Sequence, residues 1–291
     1  MKIIFFGVSK IALDYLKKAK HKDIILAFAD NRYEKIQNAG GHLVISPESI
    51  LKYDFDYVVI ALDDQKKGNI EEIWKIYTQL IKMGVPKEKI LLQSFKYYLP
   101  HIVHGPRTRF VYDLSRMFQE KGIDGAVAEC GVFRGWFSGV LSNFFPNNKL
   151  YLFDTFSGFQ ESDMLYESDV AKDWVAKAIR YQSEYATPDL IKLRCINKER
   201  VIIKKGYVPE TLQGINEQFC FVNLDMDVKQ PQLAALEFFA SRIVQGGVIL
   251  LHDYYNPSLP GTKEAVKQFS AHEQFCMVPI GDGLSVVLIK K

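Results

Sequence analysis

Residues 127–139, VAECGVFRGWFSG, decide the fold of the second half of this chain. A short apolar run reaches the acidic Glu129, and a turn containing Gly131 and Gly135 then leads into apolar residues. Glycine readily adopts the backbone angles that a tight turn requires, so this order is typical of a buried strand, a turn and a helix start. The pattern predicts the first strand–turn–helix unit of a parallel α/β domain.

Three further apolar runs in the second half also end in acidic residues. LYLFD ends at Asp154, FVNLD ends at Asp225, and VILLHD ends at Asp253. Ligands of parallel sheets bind outside the carboxyl ends of the strands. The sequence therefore predicts one site, to which these three strands and the strand of Glu129 each contribute a carboxylate.

Glu129 and Asp154 form a candidate pair for binding a nucleoside. A carboxylate at the end of the second strand can accept hydrogen bonds from both ribose hydroxyls, in dinucleotide sites and in S-adenosylmethionine (SAM) sites alike. The turn separates the two cases, because bulky Val132, Phe133 and Arg134 would obstruct a pyrophosphate. SAM has no phosphate and carries a positive charge, so an acidic first strand end favours SAM.

Asp225 and Asp253 form a candidate metal pair. They follow neighbouring predicted strands, and two carboxylates held close together repel each other unless a cation lies between them. Asp227 shares a face with Asp225, because residues two apart in an extended segment point the same way. We treat Asp227 as a reserve ligand or a helix cap.

The first half of the chain predicts a second doubly wound α/β unit of Rossmann type. Strand and helix patterns alternate, but the first turn has a single glycine, Gly7, with Ser9 where a dinucleotide fingerprint has its second glycine. Asp30 and Asn31 could hold ribose hydroxyls, or Asp30 could simply cap a turn. We predict domains at residues 1–100 and 101–291, the first serving as scaffold, oligomer contact or sugar-nucleotide docking unit.

The composition of the chain limits the classes of binding partner that we expect. The net charge is only +3, and no basic block is interleaved with aromatic residues, so we expect no nucleic acid. No apolar stretch is long enough to span a membrane. The four cysteines form no CxxC motif, which fits a reducing cytoplasm. The polar stretch over residues 160–200 could form a lid, with Trp174, Tyr181 and Tyr185 closing over a ligand or packing on a helix face.

The second half resembles the macrocin O-methyltransferase (TylF/MycF-like) family of sugar O-methyltransferases. The resemblance rests on AECGVFRGWFS, LFDTFSGF, KKGYVPETL, NLDMD, QGGVILLHDYY and PGTKEAVKQF, in that order. It implies a class I methyltransferase fold with an antiparallel terminal strand, SAM, a divalent metal and a homo-oligomer. The residues expected at the cofactor are Glu129, Gly131, Gly135, Ser138, Asp154, Thr155, Phe156 and Gly206.

By the same resemblance, Asp225 and Asp253 bind the metal, and His252 stands where the family usually has a second Asp. If His252 keeps the ligand role, the site favours Mn²⁺ or Fe²⁺ over Mg²⁺, because imidazole suits softer metals. Either Asp225 or His252 is expected to be the catalytic base. Lys229 stands where the family has an aromatic residue.

The resemblance implies methylation of a sugar hydroxyl, and the first domain suggests a nucleotide-activated sugar, such as a GDP-linked heptose or hexose, in bacterial polysaccharide synthesis. A macrolide-type glycoside is the alternative acceptor. A rival enzyme class, an NAD(P)-dependent dehydrogenase, lacks an intact glycine fingerprint and a Tyr-x-x-x-Lys motif here. A non-catalytic module that senses SAM or a nucleotide is the other alternative, although sensing needs no metal pair.

Overall fold

A computed structural model describes residues 1–18, 23–63, 68–92, 105–160 and 186–291, together with residues 163, 169, 172 and 173. Clustering of contacts divides the chain into two compact units. The first comprises Met1–His104 and Lys192–Lys198, and the second comprises Gly105–Ile191 and Glu199–Lys291. The proposed lid residues Trp174, Tyr181 and Tyr185 lie outside the described residues, as does most of the predicted crossing between the domains.

The first unit contains a six-stranded sheet in the order β3-β4-β2-β1-β5-β6. All neighbouring strands are parallel except β3 and β4. Its elements are β1 (Lys2–Phe6), α1 (Lys10–Lys18), β2 (Ile24–Ala29), β3 (Asn38–Ala39), β4 (His42–Ile45), β5 (Tyr57–Ile60), α2 (Asn69–Lys82) and β6 (Ile90–Leu92).

The core of the first unit follows from continuous apolar strands and one amphipathic helix. Phe5 and Phe28 are fully buried on neighbouring strands, with ring centroids 5.6 Å apart. On α2 the buried residues fall at helical spacing, namely Ile70, Ile73, Ile76 and Leu80. Residues Pro47–Lys52 form a short 3₁₀ helix.

Residues 192–198 lie late in the chain but belong to the first unit. Lys198 donates from Nζ to the carbonyl oxygen of Lys87 at 2.9 Å, and Ile196 packs against the first apolar core. No local pattern in the sequence marks this return of the chain. The predicted boundary between residues 100 and 101 stays a prediction. The first unit in the structure consists of two separate segments of the chain.

The second unit contains a seven-stranded sheet in the order β12-β13-β11-β10-β7-β8-β9. Its helices are α3 (Pro106–Lys121), α4 (Trp136–Phe144), α5 (Pro188–Arg194, continuing into the first unit), α6 (Lys229–Ala240) and α7 (Gly261–Gln268). Its strands are β7 (Ala126–Cys130), β8 (Leu150–Asp154), β9 (Val201–Lys205), β10 (Phe219–Leu224), β11 (Ile243–Leu251), β12 (Phe275–Pro279) and β13 (Val286–Lys290).

The expected fold class is confirmed. The five neighbouring strands β9, β8, β7, β10 and β11 are parallel. β13 runs antiparallel to both β11 and β12, as the family resemblance implied. The chain order reverses between β7 and β10, and ligands of open parallel sheets bind at such a switch point. No helix in the described ranges is long and apolar enough to cross a membrane.

Candidate functional site

The site lies at the carboxyl ends of β7 and β10. The backbone N–H of Asp225 donates to the carbonyl of Cys130 at 2.9 Å, so the two strand ends are held side by side. Gly131 has a φ of +83°, and a Cβ there would collide with the carbonyl oxygen of Asp225. Glycine is therefore required at this position both by the predicted tight turn and by the approach of the neighbouring backbone, and its place at the cofactor stays a prediction.

Gly135 also has a packing role. Its φ is +75°, and a Cβ would lie 2.7 Å from Cγ1 of Ile191 on α5. The turn that both glycines permit was predicted from the sequence. The atoms closest to the two glycines belong to the protein. A single sequence does not show whether a glycine makes room for another part of the protein or for a ligand.

Asp154 organises the turn between β7 and α4. Its Oδ2 accepts the backbone N–H groups of Val132 at 2.7 Å and Phe133 at 2.9 Å, and its Oδ1 accepts that of Phe156 at 2.7 Å. Burial raises the pKa of Asp154, and these N–H groups oppose the rise. A carboxylate offers about four acceptor positions, and the backbone of Thr155 bonds to Asp154 as well. That Asp154 holds the ribose hydroxyls stays a prediction.

The other residues predicted on this side shape the same turns. Thr155 donates from Oγ1 to the carbonyl of Gly158 at 2.6 Å, and Phe156 has a φ of +54°. Gly206 donates its N–H to the carbonyl of Asp154 at 2.9 Å. These contacts place all three beside Asp154, at the carboxyl ends of β8 and β9.

Glu129 is a buried acid whose hydrogen-bonding partner is Ser138. The Ser138 hydroxyl, on the first turn of α4, donates to Oε2 of Glu129, and both side chains are almost completely buried. Burial raises the pKa of Glu129 to about 8. A buried carboxyl of this kind fits the ammonium of SAM, because a neighbouring positive charge would offset the cost of ionising it.

Asp225 and Asp253 come together as predicted from the strand ends, and His252, which the family resemblance added, lies between them. The Nδ1 of His252 lies 2.9 Å from Oδ1 of Asp225 and 2.7 Å from Oδ2 of Asp253. One candidate ligand atom from each of the three residues lies within 4.8 Å of the other two. Two carboxylates and an imidazole at this separation fit a divalent cation that accepts a nitrogen ligand.

The charges within this cluster are strongly coupled. Although burial opposes it, Arg107 and His252 hold the pKa of Asp225 well below its usual range. Burial would lower the pKa of His252, but the Asp225 carboxylate raises it to about 10. Without a cation, the imidazole is therefore protonated at neutral pH and neutralises part of the acidic cluster.

Asp227 joins the same cluster. Its side chain hydrogen bonds to Asp253, and burial together with the charges of Asp225 and Asp253 raises its pKa well above the usual range. The residue at the N-cap of α6 is Val228, and it makes no side-chain capping bond. Two roles were considered for Asp227, a reserve ligand and a helix cap. Its contact with Asp253 favours the reserve ligand.

Arg107 is a site residue that sequence reasoning missed. Its Nη1 donates to Oδ2 of Asp225 at 3.0 Å, and its guanidinium lies 4.1 Å from the centroid of the Phe137 ring. The sequence contained only a weak indication of this role, because Arg107 belongs to no motif and its partner Asp225 is 118 residues away. Its place on the first turn of α3 was the available clue, since a helix leading into a parallel strand begins at the carboxyl edge of the sheet.

The family match shows that the chain is a SAM-dependent O-methyltransferase. Residues 105–281, well over half of the chain, match the family model described as macrocin O-methyltransferase (TylF). The chain belongs to this family. Residues 1–91 match a separate model, described as the N-terminal domain of C2185-like proteins. No curated protein matches the chain.

Several solved methyltransferase structures are similar to this chain at low sequence identity, and the likeness to NovP supports the fold. The O-methyltransferase NovP is 17% identical, with 64% of this chain and 80% of NovP covered and a TM-score of 0.55. The calicheamicin methyltransferase CalS11 is 16% identical, with coverage of 77% and 93% and a TM-score of 0.47. An O-methyltransferase from Bacillus cereus, solved with SAH, is 16% identical, with coverage of 77% and 92% and a TM-score of 0.42.

Proposed function

We propose that this enzyme methylates a hydroxyl group of a sugar, with SAM as donor and a divalent metal held by Asp225, His252 and Asp253. The observation that carries the proposal is the convergence of these three residues at a strand edge shared with Glu129 and Ser138. The proposed cofactor-side residue Glu129 lies on β7, and the proposed metal-side residues follow the neighbouring strands β10 and β11. That arrangement suits a reaction between a bound methyl donor and a hydroxyl oriented beside it.

Each absent group would supply a distinct part of the chemistry. SAM supplies an activated methyl group, and a divalent cation supplies electrostatic polarisation of a hydroxyl oxygen. The residues of the chain hold and orient these groups. Arg107 fixes one oxygen of Asp225, and Asn256 donates to Oδ1 of Asp253 at 2.8 Å, so both carboxylates are oriented by neighbouring donors.

Both Asp225 and His252 stay candidates for the base. Both oxygens of Asp225 face positive or donating groups, Arg107 on one side and His252 on the other, which makes Asp225 a weak proton acceptor. Nδ1 of His252 faces the carboxylates, so a metal held by all three residues would leave the ring proton on Nε2. His252 could take a proton from a hydroxyl at Nε2 only as a neutral ring whose Nδ1–H is bonded to a carboxylate and not to the metal.

The acceptor that we propose is a nucleotide-activated sugar, such as a GDP-linked heptose or hexose, in a bacterial polysaccharide pathway of the cytoplasm. The additional N-terminal unit of Rossmann type supports this choice, because a second nucleotide-binding scaffold suits a nucleotide-linked substrate. The family name supports the alternative, a macrolide-type glycoside. A homo-oligomer remains part of the proposal.

The test is methyl transfer from SAM to a panel of nucleotide sugars and glycosides, after chelation and after return of Mg²⁺, Mn²⁺ or Fe²⁺. We expect turnover on one nucleotide sugar, loss with chelator, and better recovery with Mn²⁺ or Fe²⁺ than with Mg²⁺ because of the His252 nitrogen. Turnover that survives complete chelation would reject the metal. Binding of SAM without methylation of any acceptor would favour the sensing module.

A further inference from the structure

We infer that Arg107 binds the carboxylate of the methionine end of SAM, beside the ammonium group that Glu129 receives. This role goes beyond the proposed sugar and metal chemistry and depends on neither. It makes Arg107 a residue that touches both the cofactor and the metal ligand Asp225. The contacts of Arg107, the chemistry of SAM and an unpaired amide nearby each contribute to the argument.

The methionine end of SAM carries a positive ammonium and a negative carboxylate. In a buried pocket both charges need partners, because an unpaired charge out of water costs several kcal/mol. Glu129, 1% exposed, suits the ammonium but would repel the carboxylate. The ammonium and the carboxylate are attached to the same carbon atom, so the carboxylate needs a cation close to Glu129.

Arg107 lies in the same pocket as Glu129. Its guanidinium stacks on Phe137, and the next residue along α4, Ser138, is the one that donates to Glu129. The Arg107 charge also acts against the burial that raises the pKa of Glu129, which places the two groups within electrostatic range. Arg107 is thus positioned to balance the carboxylates that surround the methionine end.

Several N–H donors of the Arg107 guanidinium have no acceptor in the described part of the chain. The guanidinium carries five N–H donors in a planar fork, and within the described ranges only Nη1 has an acceptor, Oδ2 of Asp225. The side chain is 20% exposed, so its remaining donors lie largely within the site. Stacking on Phe137 and the bond to Asp225 fix the plane of the fork, which is the geometry that recognises a carboxylate.

Asn223 gives an independent sign that a polar ligand belongs here. It lies opposite Glu129 in the β7–β10 ladder and shares a face with Asp225. Its side chain is 0% exposed, and neither amide atom has a hydrogen-bonding partner in the described part of the chain. A buried amide is costly without partners, and the charged end of SAM between β7 and β10 would supply them.

The experiment compares two ligands by isothermal titration calorimetry. One is SAH, and the other is S-adenosyl-3-thiopropylamine, which keeps the nucleoside and the ammonium of SAH but lacks its carboxylate. Arg107→Gln should weaken SAH binding at least about 10-fold, because a buried charged hydrogen bond is lost. The same variant should bind the amine analogue as the wild type does, since the partner of Arg107 is missing from that ligand.

Three further variants complete the design. Arg107→Lys keeps the charge and should recover part of the SAH affinity. Glu129→Gln should weaken both ligands, because both carry the ammonium. Arg109→Gln, on the same helix, removes an exposed pair with Asp113 and should change neither affinity.

Two outcomes would overturn the inference. If Arg107→Gln weakens both ligands equally, Arg107 supports the site only through Asp225. If it weakens neither, Arg107 does not contact the cofactor. These results are independent of the proposed function, because neither titration contains a sugar or a metal, and failure to find an acceptor would leave them unchanged.

Discussion

In the first sheet Val8 donates its backbone N–H to Asp30, and in the second sheet Val132 donates to Asp154. In both, 22 residues separate donor and acceptor. A glycine of positive φ, Gly7 or Gly131, precedes the donor. When the parallel strands of each sheet are numbered along the chain, both sheets have the strand order 3-2-1-4-5.

The two units differ in the side chains that this backbone carries. Glu129, two residues before Gly131, corresponds to the buried apolar Phe5, two residues before Gly7. Asp225 follows β10 where Ala61 follows β5. Asp30 is also saturated, because Arg32 donates to it from Nε, Nη2 and the backbone N–H.

The comparison shows that a backbone of the nucleotide-binding type does not by itself form a binding site, because the site also depends on the side chains. Both sheets build the turn and the acidic strand end. Among the described residues, only the second sheet has carboxylates at the ends of the two strands at the switch point, with an arginine and a histidine that balance their charge. The predictions below test that difference, starting with the largest expected effect.

Asp253→Ala should lower metal-dependent turnover by at least about 100-fold, because it removes a proposed metal ligand and the carboxylate that orients His252. SAH affinity should stay close to that of the wild type, since Glu129, Ser138 and Asp154 are unchanged. Initial rates over a metal titration, with SAH calorimetry on the same sample, measure both effects. Full activity in this variant would refute the metal assignment.

Gly131→Ala and Gly7→Ala form a matched pair in the two turns. A Cβ at Gly131 collides with the backbone of Asp225, whereas a Cβ at Gly7 meets nothing within 4 Å. We expect Gly131→Ala to abolish SAH binding and turnover, and Gly7→Ala to cost only the backbone strain of its positive φ, about 1–2 kcal/mol. Thermal unfolding and SAH titration compare them. Equal tolerance of both substitutions would contradict the described approach of β10 to the turn.

Glu129→Gln should change how stability depends on pH in the absence of SAM. Burial raises the pKa of Glu129 from 4.5 to about 8, so the folded state keeps a proton that the unfolded state loses. Between those values the free energy of unfolding should fall by about 1.4 kcal/mol per pH unit through this group alone. Urea unfolding from pH 5 to pH 8 should show a shallower decline for Glu129→Gln, and parallel curves would show that Glu129 is ionised when folded.

Asp30→Asn should have the smallest effect on chemistry. It disturbs the turn of the first unit and the Arg32 pair, but that unit supplies none of the proposed reacting groups. Turnover at saturating SAM should remain within about twofold of the wild type. A larger loss in kcat, in a protein that melts normally, would assign the first unit a part in catalysis.

The acidic strand ends made much of the site predictable. Parallel strands bring their carboxyl ends to one edge, so Asp225 and Asp253 could be grouped before their distances were known. The family resemblance added His252 and the antiparallel terminal strand. The grouping of Asp225 and Asp253 depends on local periodicity and on strand order, which one sequence carries.

What could not be predicted depends on contacts between distant segments. Arg107 meets Asp225 across 118 residues, and no spacing rule connects them. Asp154 was expected at a ribose, but its three backbone donors became visible only once the turn was built. Residues 192–198 join the first unit through tertiary packing that leaves no composition signal.

The most direct test of the account is calorimetric titration of SAH into the wild-type chain, with Glu129→Ala and Asp30→Ala titrated under the same conditions. We predict one site per chain, lost or severely weakened in Glu129→Ala and unchanged in Asp30→Ala. Two sites per chain, or a single site that survives Glu129→Ala and disappears with Asp30→Ala, would contradict the claim that only the second sheet carries the methyl-donor site.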